Sequence, residues 1–412
     1  MEISFKESER LFKESLKIIP GGVNDARRPY KFIPGHYPIF TEYGRGSHVW
    51  DVDGNEYIDW CCSFGPTILG HCNPAVDKAV KQRLDKGFCF MMTPPIQIDL
   101  AKKLIEIIPC AEMAKFMING SDGTSAAIRI ARSYTGKDKV IRWGYHGWHD
   151  WCYGGAGTDR KSVGVPENLK KDILSFTYND LDSLEKVFKE NKGEVACVIM
   201  QAFDASIEMP KKGFLEGVKE ITHKNEAVLI FDEIRTGFRA SLGGAQEYLN
   251  VIPDMAVFSK AMGNGYPIAT VVGSRKVMET AANTRLSATF FGNAFHMVAA
   301  LSTIKELQEK NAIDHMWRLG KKLVSGFKEI INEIGINAVM DGIPPLPMIK
   351  FTDKNADRNE EVKRRFFTEA VKRGVLFHPR MHWFLSLAIT EEDVYKTLEV
   401  VRESMKIAKF NR

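Results

Sequence analysis

Two residues that could do chemistry stand at the ends of two apolar stretches. Asp232 follows the run Ala227 to Phe231, and Lys260 follows the run Met255 to Phe258 after one serine. Apolar runs of this length without polar alternation are typical of parallel strands that are buried on both faces. Ligands bind at the carboxyl ends of such strands in an open α/β sheet. We therefore expect a carboxylate and an amine at the same edge of one sheet.

Together these two groups meet the demands of one cofactor. An amine can form a Schiff base with an aldehyde, and a carboxylate can hold a proton on a ring nitrogen; pyridoxal phosphate needs both. Each residue also has an ordinary structural interpretation, because a strand-end Asp often caps a helix and a strand-end Lys is often just solvated. The choice between the two interpretations depends on the other motifs of the chain.

Two further motifs are suited to hold parts of such a cofactor. Asn119 to Gly123 (NGSDG) lies between a short apolar run and a helical pattern, where backbone N–H groups and the helix dipole make an anion site. The same residues can form a plain helix cap. Trp143 to His149 (WGYHGWH) is dense in aromatic rings, which can stack on a planar heterocycle or pack in the core.

The composition is that of an ordinary globular protein. Of 412 residues, 44% are hydrophobic and 26% are charged, and the net charge of +5 comes from dispersed residues, which does not indicate nucleic acid or membrane as a partner. No stretch is apolar enough to span a bilayer, and no signal peptide is apparent. Seven cysteines without a CxxC motif predict a reduced, cytoplasmic protein. His146 and His149 lack a second pair of ligands, so we expect no metal site.

Helix-like and strand-like segments alternate along the middle of the chain, which favours an α/β fold around a mainly parallel sheet. After residue 296 a long helical region leads to short strand-like runs and to a capped helix start at Thr390 to Asp393. We expect residues 61–296 to form a large cofactor-binding domain. Residues 297–412 should form a smaller α+β domain that residues 1–60 join.

The order of these motifs resembles that of a known family, the class III (fold type I) pyridoxal-phosphate aminotransferases, and within it the glutamate-1-semialdehyde 2,1-aminomutases. The segments that carry the resemblance are Pro20 to Asn24 with Arg28, Trp50 to Gly54, Gly65-Pro66, Asn119 to Gly123, Tyr145 to Gly147, Tyr178 to Asp180, Asp232 to Arg239, Ser259 to Pro267, Thr289 to Asn293 and Thr390 to Asp393. They cover nearly the whole chain. The DE-x-x-TGFR segment and the lysine before Gly-x-Gly-x-Pro are together the most specific.

The resemblance implies a fold type I transferase with three catalytic residues. Lys260 would form the internal aldimine and then move the 1,3-proton, Asp232 would pair with the pyridinium nitrogen, and Tyr145 would stack on the ring. The cofactor-binding residues that it implies are Gly120, Ser121, Tyr145, His146, Asp232, Lys260 and Thr289. Thr289 would reach the phosphate of the other subunit, which implies a homodimer.

Departures from the aminomutase pattern cluster on the substrate side. Phe64 stands where aminomutases have Trp, and Gln201 stands where the family has Glu. Arg380 and His382 belong to a bulky, basic stretch (HPRMHWF) where the aminomutase is lighter. Arg28 matches the arginine that takes the substrate carboxylate. We therefore expect Arg28, Phe64, Arg380 and His382 to contact the substrate.

Three functions follow as hypotheses. The first is pyridoxal-phosphate-dependent transamination between an amino donor and an aldehyde or ketone acceptor that carries a carboxylate. The second is intramolecular amine transfer, as in glutamate-1-semialdehyde 2,1-aminomutase, which the glycine-rich stretch Gly154 to Gly164 favours if it forms a lid. The third is a non-catalytic binding module on the same fold, against which the retention of Lys260 argues.

Overall fold

The structure is a computed structural model that describes residues 3–24, 37–38, 40–153, 164–203 and 209–410. The chain divides into two units. One unit comprises Met1–Pro74 and Glu309–Arg412, as far as these ranges are described, and the other comprises Ala75–Gln308. The domain limits expected from the sequence are 60/61 and 296/297, and residues 296 and 297 belong to the helix Ala294–Glu309.

The strands, in chain order, are β1 (Thr41–Arg45), β2 (His48–Asp51), β3 (Glu56–Asp59), β4 (Met113–Met117), β5 (Lys139–Trp143), β6 (Ile173–Ser175), β7 (Val195–Met200), β8 (Val228–Asp232), β9 (Met255–Phe258), β10 (Ala269–Gly273), β11 (Ala338–Ile343), β12 (Leu346–Phe351) and β13 (Val375–Leu376). The helices are α1 (Lys6–Ser15), α2 (Pro74–Leu84), α3 (Ile96–Ile107), α4 (Gly120–Thr135), α5 (Glu167–Lys170), α6 (Leu181–Glu190), α7 (Phe214–Lys224), α8 (Ala245–Tyr248), α9 (Arg275–Met278), α10 (Ala294–Glu309), α11 (Ala312–Ile334), α12 (Ala356–Lys372) and α13 (Glu391–Phe410).

The unit Ala75–Gln308 is built around a seven-stranded sheet with the strand order β4-β10-β9-β8-β7-β5-β6. Strands β9, β8, β7, β5 and β6 are parallel, whereas β10 is antiparallel to both of its neighbours. Every residue of β7, β8, β9 and β10 is buried. The mainly parallel α/β sheet that the apolar runs predict is confirmed.

Helix α4 packs on this sheet through a face of small and branched residues. Ala127, Ile130 and Ala131 are fully buried and belong to the same apolar cluster as Val257 and Ala269 of the sheet. Gly123 permits the close approach, because a Cβ atom there would lie 2.7 Å from Cγ1 of Val257. This packing fixes the N-terminal end of α4 near the carboxyl ends of the central strands.

The other unit takes its main sheet from both ends of the chain. Its four strands have the order β1-β2-β3-β13, and β13 is parallel to β3, with Val375 opposite Ile58. Helices α11, α12 and α13 and the hairpin of β11 and β12 belong to the same unit. The small α+β domain from both termini is thus confirmed, and Thr390 and Asp393 form the expected cap of α13 through hydrogen bonds of 2.9 and 3.1 Å.

The long helical region expected after residue 296 consists of two helices, α10 and α11. Asn311 separates them with a left-handed backbone (φ +48°), which asparagine tolerates better than most residues. Within the described parts of the chain, no helix combines the length and the hydropathy that crossing a membrane requires. No group of three His, Cys, Asp or Glu side chains in those parts is arranged to hold a metal ion.

Candidate active site

The first two candidate residues leave neighbouring parallel strands at the same edge of the sheet. Asp232 is the last residue of β8 and is paired in register with Val257 of β9. Lys260 follows β9 after Ser259, whose hydroxyl donates a 2.7 Å hydrogen bond to the carbonyl of Ile268. Neighbouring strands in a sheet are about 4.8 Å apart, so the topology brings the two chain segments together as the sequence predicts.

The backbone of Lys260 is strained. Its φ is +46°, in the left-handed region that a long L side chain seldom adopts. The residue begins a short 3-10 turn, Lys260–Gly263, and Met262 N–H donates to the carbonyl of Ser259 at 3.1 Å. Backbone strain of this kind costs on the order of 1–3 kcal/mol and persists at sites where the side chain must take one direction. The position of Lys260 at the end of β9 can be inferred from the sequence, but the strain of its backbone cannot.

Asp232 is held by a buried histidine. Oδ2 of Asp232 lies 2.7 Å from Nδ1 of His146, and both side chains are almost fully excluded from solvent, at 2% and 0% exposure. Oδ1 of Asp232 accepts a 3.1 Å hydrogen bond from the N–H of Ile234. The carboxylate is therefore fixed by one side-chain partner and one backbone partner.

The His146 ring is held between two oxygen atoms. Nε2 donates to the carbonyl of Trp143 at 2.9 Å, because a carbonyl oxygen can only accept. Nδ1 faces the Asp232 carboxyl group on the other side of the ring. These two contacts fix the orientation of the imidazole and hold the side chain of Asp232 in place.

The anion site predicted at residues 119–123 is the N-terminus of α4. Asn119 caps the helix, and its Oδ1 accepts from the N–H of Asp122 at 3.0 Å. This leaves the first two N–H groups, of Gly120 and Ser121, without a partner inside the helix. The helix has 16 residues, so its dipole also favours an anion at this end.

Two glycines let the surrounding segments approach this helix terminus closely. A Cβ at Gly120 would lie 2.6 Å from Cδ1 of Ile234, and a Cβ at Gly147 would lie 2.4 Å from Oγ of Ser121. Gly147 also has φ +119°. The turn that contains it is fastened to α4, because Thr124 Oγ1 donates to the carbonyl of His146 at 2.7 Å. Helix terminus, aromatic turn and strand end thus converge on one place.

Tyr145 and Trp148 are the exposed rings of this turn, whereas His146 is buried. Nε2 of Gln201 donates to the carbonyl of Tyr145 at 3.3 Å. Oε1 of Gln201 is buried and has no hydrogen-bond partner among the described residues. A ligand or an ordered water molecule that donates here would satisfy this buried acceptor beside the aromatic turn.

A family profile described as "Aminotransferase class-III" matches residues 33–405. The chain belongs to the class III aminotransferase family. It is an enzyme that uses pyridoxal phosphate to transfer an amino group between an amino donor and a carbonyl acceptor.

Relatives of this aminotransferase are similar over their full length. It is 43% identical to a 3-aminobutyryl-CoA aminotransferase of Cloacimonas acidaminovorans, over 98% of both chains. It is 36% identical to a glutamate-1-semialdehyde 2,1-aminomutase of Methanocaldococcus jannaschii, over 98% of this chain and 99% of the relative.

Among solved structures, the FumI protein of Sphingopyxis sp. MTA144 in its PLP internal aldimine form has a TM-score of 0.91 at 27% identity, with 97% and 96% of the two chains covered. An omega-transaminase from Sphaerobacter thermophilus has a TM-score of 0.89 at 26% identity, with 98% of each chain covered. The fold type I architecture expected from the resemblance is confirmed.

The residues of the aminotransferase fit the cofactor of its family. The open N–H groups of α4 suit a phosphate, the paired carboxylate of Asp232 suits a protonated ring nitrogen, and Lys260 supplies an amine at the end of β9. At positions 120 and 147 the neighbouring side chains lie so close that a residue larger than glycine would not fit.

On the other unit of the aminotransferase, three of the four expected substrate residues can be located. Phe64 has φ +66° and lies within a run of left-handed residues, Cys62 to Gly65, and its ring is 5.6 Å from that of His378. His382 is buried, with its ring 4.9 Å from that of Phe384. A Cβ at Gly65 would lie 2.6 Å from the ring of Phe384, so the loop and these rings are in contact.

Arg380 differs from these buried neighbours. Its side chain is half exposed and lies 3.4 Å from Oε1 of Glu360 on α12. Arg28 and most of the glycine-rich stretch after Tyr153 lie outside the described residues. Thr289 is exposed and lines a cavity of about 1010 Å³ together with Met91 and Met92.

Sequence reasoning missed a structural role for Glu233. This carboxylate is fully buried and caps the short helix α8, accepting from the N–H groups of Ala245 and Gln246 at 2.8 and 2.9 Å and from the hydroxyl of Thr236. Burial raises the pKa of Glu233, and these hydrogen bonds oppose the rise. Its place directly after Asp232 was the available signal. The contact of Ile234 with Gly120, by contrast, has no signal in the sequence.

Proposed function

We propose that the amino donor of this aminotransferase is a 3-aminoacyl-CoA thioester such as 3-aminobutyryl-CoA, and that the amino group passes to a 2-oxo acid. The observation that carries the proposal is the 43% identity, over 98% of both chains, to a 3-aminobutyryl-CoA aminotransferase. The aminomutases among the relatives are less similar, at 35–37% identity.

The proposed roles of the cofactor-site residues follow from their environments. Pyridoxal phosphate supplies the electron sink that lets the amino group leave one carbon and join another. Lys260 Nζ carries the proton that leaves the donor carbon, and the Asp232–His146 pair keeps the ring nitrogen protonated. The N–H groups of Gly120 and Ser121 bind the phosphate, and Tyr145 covers one face of the ring.

The substrate-side residues also favour a donor without a free carboxylate at its acyl end. Phe64 is partly exposed and packs beside the buried ring of His378, and an apolar side chain of this kind accommodates a thioester arm more readily than a charged group. Arg28 would take the carboxylate of the 2-oxo acid, while His382 and Arg380 would border the donor. In the structure Arg380 lies 3.4 Å from Oε1 of Glu360, so a substrate group that binds Arg380 would compete with this carboxylate.

We also propose that the active unit is a homodimer in the cytoplasm. Met91 and Met92 are 101% and 77% exposed, beside Phe90 and Phe290 on the surface that carries Thr289. A contiguous apolar surface of this kind is typical of a protein interface. A second copy would cover it and would bring Thr289 to the neighbouring phosphate site. All seven cysteines are free, which supports a reducing compartment.

The decisive experiment compares donors under one set of conditions. The purified holoenzyme receives 3-aminobutyryl-CoA or free 3-aminobutyrate, each with a panel of 2-oxo acids, and formation of the amino acid product is followed. We expect kcat/KM for the thioester to exceed that for the free acid at least 100-fold. Equal values would contradict a thioester donor. Turnover of glutamate-1-semialdehyde without any added donor would instead establish the aminomutase reaction.

A further inference from the structure

A second cavity, of about 590 Å³, lies beside helix α4 and the residues that follow the aromatic turn. We call it the α4 cavity. Its lining consists of Ser125, Ile128, Arg129, Arg132, Trp148, His149, Asp150 and Trp151. Helical residues three and four apart share a face, so one side of α4 forms one wall. The cavity is separate from the apolar surface around Met91 and Thr289.

Two arginines give the α4 cavity a positive wall. Arg129 donates to the carbonyl of Arg285 at 3.3 Å, and Arg132 donates to the carbonyl of Asp138 at 2.7 Å. Neither guanidinium lies within salt-bridge distance of a carboxylate in the described parts of the chain. Among the described residues that line the cavity, Asp150 is the one acidic residue. Each guanidinium therefore has further N–H groups that can bind an anion from solution.

Trp148 offers a flat apolar face next to these charges. Its side chain is 67% exposed, which is unusual for a residue of this size, while its backbone N–H donates to Oγ of Ser121 at 3.3 Å. The backbone contact holds the ring at the mouth of the cavity. An exposed indole beside arginines is suited to stack on a purine whose phosphates the arginines bind.

The floor of the α4 cavity is preorganised by hydrogen bonds. Trp151 Nε1 donates to Oγ of Ser125 at 2.9 Å, and that hydroxyl lies 2.7 Å from Nδ1 of His149. The serine hydroxyl thus links the indole of Trp151 to Nδ1 of His149, and the other nitrogen of the imidazole is Nε2. Oδ1 of Asp122 is 3.9 Å from this nitrogen. A ligand would thus meet a rigid polar floor.

We propose that the α4 cavity binds the adenine nucleotide end of the CoA thioester, with the adenine on Trp148 and the phosphates on Arg129 and Arg132. The inference rests on the proposed function. Ser125 follows Ser121 by about one turn of α4, so the cavity begins close to the phosphate end of the active site. The pantetheine arm then joins the two places, and the nucleotide contributes affinity remote from the reacting carbon.

Binding of a nucleotide probe tests the cavity without any turnover. Adenosine 3′,5′-bisphosphate, which is the nucleotide end of CoA, is titrated into the holoenzyme and followed by calorimetry, with ATP as a second probe. We expect the bisphosphate to bind, and the variants W148A and R129Q/R132Q to weaken it at least tenfold. The control K186Q/K189Q removes the same charge from the exposed face of α6 and should bind like wild type.

Kinetics then connect the α4 cavity with catalysis. The ratio of kcat/KM for 3-aminobutyryl-CoA to that for 3-aminobutyryl-pantetheine should fall at least tenfold in R129Q/R132Q and stay at the wild-type value in the control. An unchanged ratio, or bisphosphate binding that the variants do not weaken, would overturn the inference. If ATP bound as tightly as the bisphosphate, the ligand of the cavity would be a free nucleotide and not CoA, which would also overturn the inference. Failure of wild type to use either thioester would refute the proposed function instead.

Discussion

Nδ1 of His146 and Oδ2 of Asp232 lie 2.7 Å apart in a place that solvent does not reach. The second nitrogen of the ring donates to the carbonyl of Trp143, so the ring cannot turn away from the carboxylate. The negative charge that a protonated ring nitrogen needs is therefore in position before the cofactor binds. Such preorganisation avoids reorganisation at the time of reaction.

Removing one member of this pair should destabilise the fold. His146→Leu leaves the buried Asp232 carboxylate without its side-chain hydrogen-bond partner, which costs about 3 kcal/mol in the free energy of unfolding. The measurement is urea unfolding of the cofactor-free protein. The double variant H146L/D232L removes both hydrogen-bonding partners, so no buried carboxylate is left unpaired, and it should recover most of the loss. A double variant as unstable as His146→Leu would show that the two side chains do not interact.

Lys260 should be the residue that binds the cofactor covalently. After reduction with borohydride, mass spectrometry of the wild type should find the pyridoxyl group on the peptide that contains Lys260. Lys260→Ala should carry no such group and should lose at least about 1000-fold in kcat, because both the nucleophile and the proton carrier are absent. Lys276→Ala, at an exposed lysine of the same unit, is the control and should keep both properties. Labelling of another lysine in the wild type would contradict the assignment.

Gly147 and Gly136 offer a matched test of the phosphate site. Both have positive φ, so an alanine at either position strains the backbone by roughly 1 kcal/mol or more. Only at Gly147 would the added Cβ meet Ser121 Oγ, at 2.4 Å, whereas at Gly136 no atom of the described residues lies within 4 Å. We expect G147A to raise the Kd for pyridoxal phosphate at least tenfold and G136A to leave it unchanged. Equal affinities in a fluorescence titration would argue against a phosphate beside Ser121.

The proposed dimer depends on the exposed methionines. M91D/M92D places two carboxylates on the apolar surface, and burying them in an interface would be costly. Sedimentation velocity should show a dimer for wild type and a monomer for the variant, with dimer affinity weakened about 100-fold or more. Ile252→Asp introduces a charge at another exposed apolar residue of the same unit and should stay dimeric. A variant that remains dimeric would place the interface elsewhere.

Cysteine reactivity provides a test of burial with a defined pH dependence. Burial raises the pKa of Cys197 to about 12, so its thiol stays protonated and unreactive between pH 7 and pH 10. Cys72 is exposed and should react with iodoacetamide throughout this range. Peptide mass spectrometry after labelling of the folded protein measures the extent of reaction at Cys197 and at Cys72. In urea, Cys197 should react as readily as Cys72, and labelling of Cys197 in the folded protein at pH 8 would contradict its burial.

Much of the cofactor site could be predicted because strand ends carry a local signal. The apolar runs before Asp232 and Lys260 are long enough to identify buried parallel strands, and a parallel sheet aligns their carboxyl ends. The helix start at residues 119–123 was equally local, but the capping residue is Asn119 and not the expected Ser121 or Asp122. The pairing of His146 with Asp232 was not, because the two residues are 86 positions apart and nothing in either segment specifies the other.

Backbone strain could not be predicted from the sequence, for a different reason. The left-handed backbone at Phe64 and Lys260 contradicts the intrinsic preference of both residues, and tertiary packing imposes it. A domain limit at 296/297 has no local signal either, since α10 is one continuous helix across these residues. Sequence periodicity records a helix but not the unit to which each of its turns belongs.

The parallel pair of β3 and β13 has a consequence for synthesis of the protein on the ribosome. β3 is made early, but Val375, its partner for Ile58, is made near the end. Until β13 has been made, β3 therefore has an edge without a partner strand. The intervening unit Ala75–Gln308 by then already has all the strands of its own sheet. We expect the nascent chain to be most vulnerable to aggregation and proteolysis at residues 41–59 until the last strand has left the exit tunnel.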